Sequence, residues 1–188
     1  NVGDYLEANG DYRYPFLRVA DVLGNADITF GNLESPISDR GQNVGSIYSF
    51  RADPKVIEGL SFSGFDIVSI ANNHIWDWGA DALNDTVSNL SNWNIKSVGA
   101  GSSFSSANKS VVVSSNNVDV GFLAYTALYP NGLEATNDRA GVSDLDVAIN
   151  EVRLLSESVD IVAVSLHWGE EYETLSNGDQ QKLARELI

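Results

Sequence analysis

The 188-residue chain contains no cysteine, which rules out a disulfide framework and a thiolate metal site. It contains no methionine and begins at Asn1, so a processed or excised product is expected, with the natural protein continuing past both ends. It has no apolar run of about 18 residues, and therefore no segment that reads as a membrane-spanning helix. No signal peptide is visible. Basic residues are scarce, 11 Lys and Arg against 26 Asp and Glu, for a formal net charge of −15. A surface this acidic repels phosphate backbones and argues against nucleic-acid binding through a basic patch. Most of the acids read as a solubilising surface, and some as carboxylates able to hold a cation. Only two histidines occur, His74 and His167, and both follow apolar runs.

The content is ordinary for one globular domain, with 43% hydrophobic residues. Neither a repeat nor a low-complexity linker appears, so residues 1–188 are expected to form a single domain. Residues 1–14 read as polar, with at most a short turn at 4–7. Residues 15–23 carry helical spacing, and 26–31 read as a strand ending in a loop at 32–37. Residues 38–46 read as an exposed loop and 47–50 as a short edge strand. Asp53-Pro54 reads as a helix start, with Asp as N-cap and Pro in the first turn. An apolar strand over 65–71 precedes a helix over 80–93 and a short strand over 95–98.

Residues 109–114 and 118–126 flank an amide-rich turn and read as an antiparallel hairpin. Residues 127–142, with Pro130, Gly132 and Gly141, read as a long loop. Asp144 caps a helix to about 156, a strand covers 160–166, and a last helix starts near Gly178. Strands alternating with helices, plus one hairpin, predict an α/β fold with a mixed sheet or two packed sheets. The runs at 65–71 and 160–166 are expected at sheet centres.

Three strand ends carry chemistry that core packing does not require: Gly31-Asn32-Leu33-Glu34, Ala71-Asn72-Asn73-His74 and Leu166-His167-Trp168-Gly169. Ligands of open α/β sheets bind at the carboxyl ends of strands. A carboxylate, amides and imidazoles form a mixed oxygen and nitrogen donor set, suited to a divalent metal. Each tip also has a structural alternative. Glu34 can be a solvated acid, and Asn72 and Asn73 can end a strand with Asx turns. His74 can be a satisfied buried imidazole, and His167 can pack on Trp168.

The motifs at 31–37 (Gly-Asn-Leu-Glu-Ser-Pro-Ile), 71–79 (Ala-Asn-Asn-His-x-x-Asp-x-Gly) and 165–172 (Ser-Leu-His-Trp-Gly-x-Glu-Tyr) resemble the bacterial capsule-synthesis family of the poly-γ-glutamate CapA type. That family is itself similar to calcineurin-like metallophosphoesterases. The resemblance covers nearly the whole chain. It implies a metallophosphatase-like sandwich of two mixed β-sheets flanked by helices, in four α/β/β/α layers, with two divalent metals (Mn, Zn or Fe) at the strand ends. Glu34, Asn73 and His167 match its metal ligands, and His74 the proton donor to the leaving group. Asp77 and Gly79 match a recurring Asp-x-Gly that orients His74 or shapes the turn.

The resemblance further implies a phosphoester or γ-glutamyl amide hydrolase acting on a phosphoester or on the anionic polymer poly-γ-glutamate. The expected place is the outer face of a bacterial cell, with any membrane contact through an anchor outside this chain. The family's opening Gly-Asp strand and closing Gly-His-x-x-His-like loop are absent from these residues, so half a metal centre and no activity are expected of them alone. Two alternatives stand: a non-catalytic polymer-binding or scaffolding component, and a general nucleotide phosphodiesterase. Against the second, Glu34 replaces the usual Asp, and Asn72 stands where Gly is usual.

Overall fold

The computed structural model describes residues 2–128 and 132–188. Pro130, part of the long loop expected over 127–142, lies outside them, as does Asn1. The chain divides into two compact units, Asn1–Ile70 with His74–Ser97, and Ala71–Asn73 with Val98–Ile188.

The first unit opens with helix α1 (Val2–Asn9) where only a short turn was expected. Its buried contribution includes Leu6, at 5% exposure. One such residue is too sparse a signal to reveal a helix by periodicity. The helical spacing over 15–23 resolves into a 3-10 turn at Tyr14–Phe16 and helix α2 (Ala20–Gly24), separated by the non-helical Val19. Asp53 caps as expected, accepting from the Lys55 amide, with Pro54 in the first turn. Helix α3 (Ile57–Phe62) follows.

Strands β1 (Phe30–Asn32) and β2 (Ile67–Ser69) pair in parallel, and β3 (Lys96–Val98) completes the order β1-β2-β3. The expected centre strand β2 is therefore central, and it is buried throughout. Helix α4 (Gly79–Asn92) turns Ala82, Leu83, Thr86 and Leu90 inward. The Thr86 hydroxyl donates to the Ala82 carbonyl and accepts the Ile37 amide at 2.9 Å, so its burial leaves no unmet bond.

In the second unit, β5 (Val111–Ser115) and β6 (Val118–Thr126) form the expected hairpin. Asn116 and Asn117 turn it with φ of 52° and 62°, the left-handed pair that a two-residue type I′ loop needs. Strands β4 (Ala100–Gly101) and β7 (Gly141–Val142) pair antiparallel, β7 lying in the stretch expected to be loop. Helix α5 (Phe104–Ala107) has a Ser103 capping box. Asp144 caps a 3-10 turn that runs into helix α6 (Ala148–Ser156).

Strand β8 (Ile161–His167) pairs parallel with β6, and the order is β5-β6-β8. The expected central place of β8 is corrected: among the described residues, β6 is central and β8 lies at the edge. An apolar run reports burial of faces, not the number of flanking strands, and β8 is only half-buried. The core joins Leu123 and Tyr125 of β6 to Ala148, Val152 and Leu155 of α6. Gly121 makes room for it, since a Cβ there would meet Leu155 Cδ2 at 2.8 Å. Helix α7 (Gly178–Glu186) begins behind an Asn177 capping box. No helix among the described residues is long and apolar enough to cross a membrane.

Candidate functional site

The first tip follows β1. The parallel register continues past the strand, with the Leu33 amide donating to the Ser69 carbonyl at 2.9 Å. Gly31 admits the Phe65 ring, whose Cε1 would lie 2.7 Å from an added Cβ. Glu34 is exposed, and its Oε2 accepts from Asn32 Nδ2 at 3.1 Å. It borders a cavity of about 790 Å³ in the first unit, lined also by Leu6, Tyr12, Phe16, Phe50 and Arg51.

The second motif places His74 and Asp77 one turn apart. Nδ1 of His74 lies 2.8 Å from Oδ2 of Asp77, whose side chain is 2% exposed. A carboxylate accepts only, so the imidazole donates through Nδ1–H. That selects one tautomer and makes Nε2 the basic position of the neutral ring. Two further donors reach the same carboxylate: Ser46 Oγ donates to Oδ1 at 2.9 Å and the Phe50 amide to Oδ2 at 2.7 Å. The Phe50 ring lies 4.1 Å from the imidazole, centroid to centroid, tilted by 37°. Residues 47–50, expected as a strand, thus serve as a loop bound to Asp77. Gly79, with φ of +75°, turns the chain into α4.

The third tip ends β8. His167 pairs with Thr126 in the parallel ladder, and its carbonyl accepts from the Ala127 amide at 3.0 Å and the Thr126 hydroxyl at 3.1 Å. With the backbone so held, Nε2 of His167 comes to 2.9 Å from Oδ1 of Asn73. Sequence reasoning grouped these residues, and the structure brings them into contact within the second unit. Asn72 is buried at 1% exposure. Glu170, Glu171 and Tyr172, beside His167, are exposed. Trp78 carries the Arg51 guanidinium 4.3 Å over its ring, and its indole N–H is buried with no hydrogen-bond partner among the described residues.

The donor chemistry can be compared with a metal's demands. Two ligands at adjacent octahedral positions, each about 2.1 Å from a small divalent ion, lie about 3 Å apart. The Asn73–His167 separation of 2.9 Å matches that edge. Ligation through Nε2 requires its lone pair, so the ring proton would move to Nδ1. The pair fits two coordination positions. Among the described residues, no group of three His, Asp or Glu gathers to complete a site. Ser46 and Phe50 were not anticipated as functional residues, since a loop residue reaching a carboxylate 31 positions away leaves no local signal.

Comparison with known proteins adds the family. The model for "Bacterial capsule synthesis protein PGA_cap" matches residues 1–188. The chain is 28% identical over 185 residues to the capsule biosynthesis protein CapA of Bacillus anthracis, covering 93% of this chain and 45% of that protein. It is 28% identical over 177 residues to the PGA biosynthesis protein CapA of Bacillus subtilis, covering 92% and 47%. A probable polyglutamine synthesis accessory protein of Mycobacterium tuberculosis is 32% identical over 194 residues, covering 95% and 51%. The chain thus spans about half the length of the curated relatives it matches. In structure it is similar to a hypothetical protein from Thermus thermophilus, with a TM-score of 0.52 at 17% identity over 94% of this chain and 57% of the other. That likeness supports the mixed α/β architecture of several sheets flanked by helices. With all 188 residues matched, this chain belongs to the bacterial capsule synthesis protein PGA_cap family.

Proposed function

We propose that this chain is part of an envelope-located poly-γ-glutamate capsule protein with a metal-dependent hydrolase-like site, in which His74 transfers the proton. One observation carries the reading: the buried Asp77 carboxylate holds Nδ1 of His74 at 2.8 Å. An imidazole held this way presents Nε2 for proton exchange, the arrangement general acid–base catalysis needs. The substrate class is a γ-glutamyl amide or a phosphoester. The names of the Bacillus relatives, capsule biosynthesis and PGA biosynthesis, favour the polymer.

Asn73 and His167 would supply two donors for a divalent ion, with Glu34 as the carboxylate ligand that the resemblance at 31–37 implies. A divalent ion held there (Mn, Zn or Fe) would supply Lewis-acid polarisation of the scissile group. The chain's own residues do the rest. Asp77 fixes the imidazole, Phe50 covers one ring face, and His74 in its protonated form gives Nε2–H to the leaving nitrogen or oxygen. A net charge of −15 disfavours a bare polyanion, so divalent cations also serve to bridge polymer and protein.

The test uses the full-length protein with an aryl phosphodiester and a γ-glutamyl oligomer, each with and without chelator. Turnover that chelator abolishes is expected on one of them. His74→Ala should lower that turnover by about 10²- to 10⁴-fold with metal content unchanged. An unchanged rate removes His74 from the mechanism, and chelator-resistant turnover removes the metal.

A further inference from the structure

The segment from Ser38 to Ala52 is closed at its base. The Ser38 amide donates to the Ala52 carbonyl at 3.2 Å, the Ala52 amide to Pro36 at 2.9 Å, and Arg51 Nε to the Ser38 carbonyl at 2.7 Å. Between those ends it forms a compact surface loop of the kind that packs by its own contacts. Its tip is exposed, Ile47 by 94% and Tyr48 by 74%. Its inner edge is bonded to one short stretch of chain. The Gln42 amide donates to the Trp78 carbonyl at 3.2 Å, and the Val44 amide to the Asp77 carbonyl at 3.0 Å. Ser46 and Phe50 then take the two oxygens of the Asp77 side chain. Gly41, with φ of +81°, permits this approach: a Cβ there would lie 2.1 Å from the Trp78 carbonyl oxygen.

We propose that this loop is a strap that sets the state of His74, with Ser46 and Phe50 as its positioning residues. The inference rests on the reading of His74 as the proton-transfer group. Asp77 sits between strap and imidazole and is bonded to both. The Ser46 hydroxyl on Oδ1 fixes the plane of the carboxylate. That plane decides whether Oδ2 meets the Nδ1–H in line. The Phe50 amide on Oδ2 and the Phe50 ring against the imidazole fix the distance and tilt. Without the strap, Asp77 loses two of its three donors and the imidazole loses a wall, so the carboxylate is held less well in line and its preference for the Nδ1–H tautomer weakens.

The readout is the imidazole itself, so no substrate is needed. Two-bond proton–nitrogen spectra of the ¹⁵N-labelled full chain, taken with the rings neutral, report which nitrogen carries the proton. The imidazole signals that vanish in a His74→Ala spectrum are those of His74. In the wild-type chain His74 is expected as Nδ1–H. In Ser46→Ala the ratio of Nδ1–H to Nε2–H should fall roughly fivefold, the effect of about one hydrogen bond. Ser46→Thr, which keeps the hydroxyl, should restore it, while the similarly shaped Ser46→Val should not.

A single Nδ1–H form in both Ser46→Ala and Ser46→Val overturns the strap while leaving His74 as the proposed acid. A wild-type ring without a dominant Nδ1–H form overturns both. An unchanged turnover in His74→Ala alone, with the tautomer responding as described, overturns the catalytic reading and keeps the strap as a structural coupling.

Discussion

Nε2 of His167 and Oδ1 of Asn73 lie 2.9 Å apart, although 94 positions separate them in the chain. The contact joins the end of the β6–β8 ladder to a loop residue. As it stands it is a hydrogen bond with the ring proton on Nε2. Its length also suits two neighbouring ligands of one small cation.

Metal affinity should therefore depend on both residues. In calorimetric titrations of the full-length protein with Mn or Zn, Asn73→Ala and His167→Ala are each expected to weaken binding at least about tenfold. Glu34→Ala tests the third assigned ligand in the same way. Full occupancy in all three variants removes the metal assignment.

A second outcome concerns the proton. If zinc ligates Nε2 of His167, the ring must change from the Nε2–H to the Nδ1–H form. Zinc is diamagnetic, so the nitrogen spectrum can follow that exchange. A His167 signal that ignores saturating zinc rules out ligation through this atom.

Asp77→Asn replaces an acceptor-only group that is 2% exposed and bonded to three donors. An amide nitrogen facing these donors leaves at least one buried group unmet. A loss of about 2–4 kcal/mol in unfolding free energy is expected, measured by urea denaturation. His74 should lose its single tautomer in the same variant. A stability within about 0.5 kcal/mol of wild type contradicts the bonding described.

Tyr125 gives a prediction away from the site. It is fully buried, and its hydroxyl finds no hydrogen-bond partner among the described residues. Burial foremost, then the charges of Glu151 and Asp144, push its phenol well above the ordinary value of 10.0. Tyr125→Phe removes the unmet hydroxyl and should be neutral or stabilising by about 1 kcal/mol, a rise of about 2–4 °C in Tm. The pH dependence has a definite sign. The folded phenol resists ionisation and the unfolded one does not, so its contribution is complete below about pH 10 and is lost as pH rises beyond it. Wild type should lose stability faster than Tyr125→Phe from about pH 10 upward, and parallel curves contradict this.

Much of the fold was legible where local chemistry decides it. The Asn116-Asn117 turn, the Asp53-Pro54 start and the Asp144 cap each satisfy backbone groups within a few residues. Helix α1 was not legible, because few buried side chains mark its face. The edge position of β8 was hidden because hydrophobicity cannot count neighbours. At the candidate site, the motifs named Asn73, His74, Asp77 and His167, and the structure pairs them as His74 with Asp77 and Asn73 with His167. Glu34 was named by the same reasoning and lies exposed at its strand tip. Ser46 and Phe50 escaped notice because their partner is a side chain packed from another part of the chain. The edge-strand reading of 47–50 failed for the same reason: a carboxylate, not a neighbouring strand, takes the Phe50 amide.

The saturation of one carboxylate by three donors has an evolutionary corollary. Positions 46, 50, 74 and 77 are bonded to one another through the Asp77 carboxylate, so a change at one is expected to alter what the others tolerate. Transplanting the 38–52 segment between homologues without its matching acid would bring in a foreign loop and strand the imidazole. Chimeras made in this family should therefore exchange 38–52 and 74–77 together.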